Sequence, residues 1–267
     1  MADSRPIGIF DSGIGGLTVA HALRETLPHE SIVYFGDTAH LPYGDKSKES
    51  IASYSRRITE FLLDHNCKAI IIACNTASAY GMDAATKAAR GVHVFNVIDP
   101  VVKHIADHKA VKKVGVIGTK GTISSRIYPR KVKAASGEKV VVSQATPLLA
   151  PMIEEGFYNN TISQTIINSY LSKKTFKDID SLVLGCTHYP LIKKEVQNFY
   201  DRPVQILDSA EVVAQHVANH LDKTGCLAGK RNQSELKFFV SDFTRSFEKS
   251  TKIFFGEEVH LEERRIW

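Results

Sequence analysis

The sequence predicts an α/β protein made of two pseudo-symmetric, doubly wound parallel-sheet domains, with the candidate active site in the cleft between them. Three observations carry that prediction. Two apolar runs, IIIACNTASA at 70–79 and LVLGCTHYPL at 182–191, are too short for helices and stop at a small residue and a cysteine. Such runs, β-branched and bounded by turn signals, read as buried strands of a parallel sheet. Two other segments, PIGIFDSGIGGLT at 6–18 and KVGVIGTKGTISS at 113–125, share one layout of strand, glycine-containing turn and helix. Gly8 and Gly115 are separated by nearly the same stretch of chain as Cys74 and Cys186. Features repeating at almost one offset of roughly a hundred residues indicate duplicated domains, not a solenoid.

In the first half, residues 6–10 read as a buried strand that runs into DSGIGG and the amphipathic LTVAHALRETL, which stops at Pro28. Glycines let a backbone approach a ligand closely, and the helix start that follows favours an anionic group. A tight connection with no ligand is the plainer alternative; Asp11 and Ser12, at the strand end itself, favour the ligand. Residues 31–36 form a second strand, followed by a polar loop with Asp37, Tyr43 and Gly44, marked as irregular by Pro42. Ile51, Tyr54, Ile58, Phe61 and Leu62 recur at helical steps on one face. Cys67 follows that helix and reads as a small buried residue. Beyond the strand before Cys74, a helix is expected to about Ala89 and a strand over 92–99, ending at Pro100.

The second half repeats the pattern. KVVVSQA (139–145) reads as a strand, TPLLAPMIEEG (146–156) as a loop with Glu154, and 161–172 as a helix. The strand before Cys186 follows, then a helix from Pro190 and a last strand to about Ser209. The tail holds AEVVAQHVANHL, a polar linker, the strand KFFVSD, one helix and EVHLEE, which bury too little surface for a third domain. It is therefore placed back on the first half. The resulting division is 1–98 plus 210–267 for one domain and 99–209 for the other. Cys226, in the glycine-containing linker, is assigned no role.

Composition bounds the function classes. The chain has 267 residues, a formal net charge of +5 and four cysteines. Its lysines and arginines are scattered, which describes a solvated surface rather than a nucleic-acid footprint. No signal-peptide core opens the sequence and no apolar run reaches the roughly 18 residues that span a bilayer. A cytoplasmic protein with reduced thiols is expected. The cysteine and histidine spacing suggests no metal site.

Chemistry is expected where the cysteine strands end. In open α/β sheets, ligands bind at the carboxyl edge of the strands, where following helices present unpaired N–H groups. A cysteine at a helix start is expected to have a lowered pKa and hence some thiolate near neutrality. One such residue suggests a nucleophile. Two, facing each other across a cleft, suggest a base on one face of a carbon and an acid on the other, because inversion by proton transfer needs both faces. Two merely buried strand-end cysteines, or a disulfide, are the alternatives.

At these residues the sequence resembles the glutamate racemases of the aspartate/glutamate racemase superfamily. The resemblance rests on DSGIGGLTV near the start, PYG at 42–44, ACNTAS at 73–78, PLLAPMIEEG at 147–156 and GCTHYPL at 185–191, in the family's order over most of the chain. It implies a cofactor-independent enzyme, without a metal, that interconverts L- and D-glutamate and supplies D-glutamate for peptidoglycan. By resemblance, Cys74 is the base for D-glutamate and Cys186 the base for L-glutamate. Asp11, Asp37, Glu154 and His188 match assisting catalytic positions, Asp11 beside the first thiol and His188 beside the second. Asp11, Ser12, Tyr43, Gly44, Asn75, Thr76, Thr187 and His188 match substrate-binding positions. The family often carries a cysteine where Thr146 stands, a departure that touches no assigned role. One branch of the family needs a cell-wall precursor as activator; the sequence does not show whether this chain does, and the lack of a longer N-terminal extension argues only mildly against it. A homodimer is implied, with no nucleic-acid or membrane partner. The rival activities are aspartate racemase, whose members usually show a glutamate where His188 stands, and a non-catalytic cleft protein that binds an anion through DSGIGG.

Overall fold

The computed structural model describes residues 2–267 and contains two parallel sheets. The chain runs β1 Ile7–Asp11, α1 Leu17–Thr26, β2 Ile32–Gly36, α2 Lys48–Asp64, β3 Ala69–Ile72, α3 Asn75–Tyr80, α4 Met82–Ala88, β4 His93–Asn96 and α5 Ile98–Asp107. It continues with β5 Lys113–Gly118, α6 Lys120–Ser124, α7 Ile127–Ala135, β6 Val140–Ala145, α8 Leu149–Glu154, α9 Thr161–Leu171, β7 Ser181–Gly185, α10 Lys193–Asn198 and β8 Gln205–Asp208. The last elements are α11 Ser209–Thr224, β9 Leu236–Val240, α12 Arg245–Phe255 and β10 Glu262–Glu263.

The six-stranded sheet has the order β10-β9-β2-β1-β3-β4 and the four-stranded sheet β6-β5-β7-β8. The block β2-β1-β3-β4 and the second sheet are the same arrangement twice, so β3 and β7, which lead to the two cysteines, occupy equivalent places. Helices cover both faces of such sheets, which is why β1, β2, β3 and β7 are buried at every position and read as continuous apolar runs. The tail strand β9 pairs in parallel with β2, Ile32 opposite Leu236, so the tail completes the first sheet. Lys68 fastens that return: buried, it pairs with Glu30 at 2.6 Å and donates to the carbonyls of Asp3 and Cys226. The two sheets are joined by α5, which packs mainly on α7, and by α11, which packs mainly on α1.

Three expectations are corrected. The helix after Cys74 breaks at Gly81 into α3 and α4; α2 passes so close there that a Cβ would lie 2.0 Å from Ser55 Oγ, which requires glycine. The strand expected over 92–99 ends at Asn96. Asn96 Oδ1 accepts the N–H groups of Ile98 and Asp99, both at 2.9 Å, and so starts α5, with Pro100 in the first turn where no donor is required. Glu154 ends the short helix α8 and does not sit in a loop. Cys67, as expected, is buried, with its sulfur against Gly8.

Candidate active site

The carboxyl ends of β1, β3, β5 and β7 meet around one cavity of about 250 Å³, and both Cys74 and Cys186 line it. Among the described residues, no lysine or arginine does. Two more open depressions of about 370 and 440 Å³ lie elsewhere, lined mainly by α5 with α11 and by residues 171–178 with 199–202, and neither holds a cysteine.

The Cys74 side is built from the first sheet. Cys74 caps α3, its sulfur accepting the Ala77 N–H at 3.4 Å and donating to Ser12 Oγ at 3.6 Å. Burial, with the Asp11 charge adding to it, pushes the Cys74 thiol up to about 12, against the Ala77 and Ser12 hydrogen bonds that pull it down. The lowered pKa expected of a cysteine at a helix start is therefore corrected for Cys74: one N–H at the end of a six-residue helix does not offset full desolvation. Asp11 is wholly buried. One of its oxygens accepts Gly13 N–H at 3.2 Å and Gly16 N–H at 2.9 Å; the other has no partner. Burial raises its pKa, opposed first by His188.

The Cys186 side is built from the second sheet and turns on His188. Its Nδ1 lies 3.6 Å from Cys186 Sγ and 3.4 Å from Thr187 Oγ1, and its Nε2 lies 2.7 Å from Glu154 Oε1. Burial alone would drive off the proton, but the sulfur and the carboxylate outweigh it and raise the His188 pKa to about 10. The ring is thus an imidazolium at neutral pH. It reaches across the cleft onto Gly15, where a Cβ would lie 2.4 Å from the ring. Beside it, Thr18 Oγ1 donates to the Thr187 carbonyl at 3.0 Å, from one sheet's unit to the other.

The remaining predicted residues divide in two. Ser12, Tyr43, Gly44, Asn75, Thr76, Thr187, Glu154 and His188 line the cavity with the two cysteines. Asp37 does not: it lies behind Tyr43, whose hydroxyl it accepts at 2.6 Å, while its other oxygen accepts Ser241 Oγ at 2.7 Å. His40 Nδ1 is within 3.0 Å of both oxygens. Burial and the Asp37 charge hold the Tyr43 phenol well above its usual range, so it is a neutral donor. Asn75 Oδ1 accepts the Tyr128 hydroxyl at 2.7 Å, leaving its buried Nδ2 without a partner.

Several participants escaped the sequence reading. Thr119 and Thr122 share hydroxyl contacts of 2.8 and 3.1 Å with Thr76, closing one flank of the cavity. Tyr128, Ser241 and Phe254 contact Asn75, Asp37 and His188 from distant parts of the chain. Thr119 alone left a signal, the TKGT turn that mirrors DSGIGG. Thr146, at the position where a cysteine is frequent, is buried with its hydroxyl 2.7 Å from that of Tyr189.

The raised pKa of His188 sets a pH dependence of stability. The unfolded chain releases that proton near pH 6.5 and the folded protein near 10, so between them the folded state binds more protons. The stabilisation from this ring is complete below about pH 6.5 and is lost as pH rises towards 10. A thermal melting series from pH 6.5 to 10 should therefore slope downwards, and less steeply in His188→Asn. Parallel slopes would mean that His188 is neutral.

Comparison with known proteins adds identity. Residues 17–217 match the family of Asp/Glu/hydantoin racemases. The chain is 40% identical to the glutamate racemase of Chlorobaculum parvum, over 97% of this chain and 95% of that one. It is 41% identical to that of Aquifex aeolicus, over 95% of each. The crystal structure of glutamate racemase from Francisella tularensis in complex with D-glutamate superposes with a TM-score of 0.92 at 38% identity, covering 99% of this chain and 98% of the other.

Proposed function

The chain belongs to the Asp/Glu/hydantoin racemase family and is an amino-acid racemase acting on glutamate, and from that premise we propose that it inverts the α-carbon with two thiols and no cofactor. One observation carries the proposal: two cysteines, from equivalent strand ends of a duplicated fold, line a single cavity. In the direction from L-glutamate, Cys186 takes the α-proton and Cys74 delivers one to the opposite face. Burial supports the second role, since it keeps the Cys74 proton in place until a carbanion is there to accept it. The reverse direction exchanges the roles.

The assisting groups fit this scheme. His188, held as an imidazolium by Glu154, places a positive charge beside Cys186 that offsets the thiolate formed there when its proton leaves. Asp11, with one free oxygen, is the corresponding group near Cys74. Asp37 acts by holding Tyr43. The substrate's carboxylates are assigned to hydroxyls, amides and backbone N–H groups, among them Ser12, Tyr43, Gly44, Asn75, Thr76 and Thr187, because among the described residues no lysine or arginine lines the cavity. The unpartnered Asn75 Nδ2 is a donor with nothing else to bind.

The domain division is proposed as 1–98 with 210–267 and 99–209. It is supported by the strand origins: the first sheet draws on 7–96 and 236–263, the second on 113–208. Among the described residues no helix is long and apolar enough to cross a membrane. We place the activity in the cytoplasm, supplying D-glutamate for peptidoglycan, and in a homodimer, as the family resemblance implies.

The test is direct. Purified protein should bring a solution of L-glutamate to zero optical rotation and leave L-aspartate unchanged, and prior dialysis against a chelator or treatment with hydroxylamine should not slow it. Activity on aspartate at a comparable rate would move the substrate assignment. Loss of activity restored by a metal ion or by pyridoxal phosphate would end the cofactor-free reading.

A further inference from the structure

His188 carries its charge on a ring whose two nitrogens are fixed by Cys186 and Glu154, but hydrogen bonds to both ends of an imidazole leave it free to tilt about the axis between them. Two contacts remove that freedom, and both come from the other domain. Gly15 closes one side. The second contact is Phe254, whose ring meets the imidazole edge to face, with centroids 5.1 Å apart and planes at 79°.

Phe254 belongs to the tail, far in sequence from every motif of the site, and the tail anchors it firmly. Helix α12 is capped at its start by Thr244, whose side chain accepts the Phe247 N–H, and ends at Gly256 in the left-handed region, φ 88°. The neighbouring Phe255 packs edge-on against His21 and Phe238 and lies under the Arg24 guanidinium, 5.4 Å from its ring centre. Arg24 also pairs with Glu257. Phe254 itself is buried and so keeps water from the imidazolium. An aromatic ring packed edge to face against another restricts its tilt.

We propose that Phe254 is a positioning residue for racemisation, acting through His188 on proton transfer at Cys186 alone. The proposal rests on the assignment of Cys186 to L-glutamate. It makes the tail helix part of the catalytic apparatus, although none of its residues lines the cavity.

The test uses Phe254→Leu, which keeps an apolar side chain but loses the flat ring, with His188→Asn as reference. A loosened His188 slows transfer at Cys186, and kcat should fall about ten-fold with little change in KM, in line with the rate cost of small misplacements. The specific readout is isotopic. With α-deuterated L-glutamate the labelled bond is broken at Cys186, so the isotope effect should grow. With α-deuterated D-glutamate it is broken at Cys74, which now limits less, so that isotope effect should shrink. Partial unfolding would lower kcat and leave both effects unchanged. If His188→Asn splits the two effects in these opposite senses and Phe254→Leu does not, the role of Phe254 is refuted while the two-thiol assignment stands. If neither variant splits them, both fall.

Discussion

Cys74→Ala and Cys186→Ala each abolish racemisation, in both directions, by roughly 10³-fold or more, while the protein stays folded. A positioned acid or base contributes on the order of 10² to 10⁴ to a proton transfer, and each thiol serves as base in one direction and as acid in the other. L- and D-glutamate have equal free energies in water, so neither variant can spare one direction at the expense of the other. The fold should survive because each side chain is small and its backbone is secured elsewhere: Ser78 N–H bonds the Cys74 carbonyl at 2.8 Å and Tyr189 N–H the Cys186 carbonyl at 3.1 Å. Initial rates from both enantiomers, with circular dichroism as the control, decide it. A variant with more than about a tenth of the wild-type rate would remove the two-thiol mechanism, given the size of the effect a single acid or base supplies.

Gly15→Ala is the next most damaging change, although it adds only one methyl group. That carbon would lie 2.4 Å from His188 Cε1, 2.5 Å from Nδ1 and 2.7 Å from Thr187 Oγ1. The ring has little room to retreat, being held by Glu154 at one nitrogen and packed against the ring of Phe254. Either the domains part or His188 leaves Cys186. A displacement near 1 Å at a reacting group costs about 10²-fold in rate, and kcat should fall by that order. Steady-state kinetics of the variant measure it. A Gly15→Ala enzyme with wild-type kcat would show that the closed contact between Gly15 and His188 is not the arrangement in which protons move.

Much of this was legible in the sequence because parallel sheets write themselves plainly. The strands before Cys74 and Cys186 are buried on both faces and appear as short apolar runs. Their positions at equivalent sheet edges could be inferred from the repeated layout, and GCTHYP and ACNTAS then named the chemistry. What the sequence left out are relations between segments. A pattern shows which face of an element is apolar, not which residue of a distant segment meets it, so Tyr128 under Asn75, Ser241 behind Asp37 and Phe254 on His188 were invisible. The same holds for electrostatics. A helix start argues for a low cysteine pKa, and only the depth of burial and the charge of Asp11 reveal that Cys74 goes the other way. Asn96 misled for a local reason: its side chain caps the next helix, so the strand stops there and Pro100, expected to end the strand, sits in the first turn of that helix.

The central claim, proton removal on one face and delivery on the other by separate groups, is tested most directly in deuterated water. L-glutamate incubated with the enzyme should at early times yield D-glutamate that carries one solvent deuteron at Cα per turnover, while the remaining L-glutamate keeps its proton. D-glutamate as substrate should give the mirror result. Product that retains the original α-proton, or an L-glutamate pool that gains deuterium as fast as the product does, would mean that a single base serves both faces and would contradict the assignment of Cys74 and Cys186.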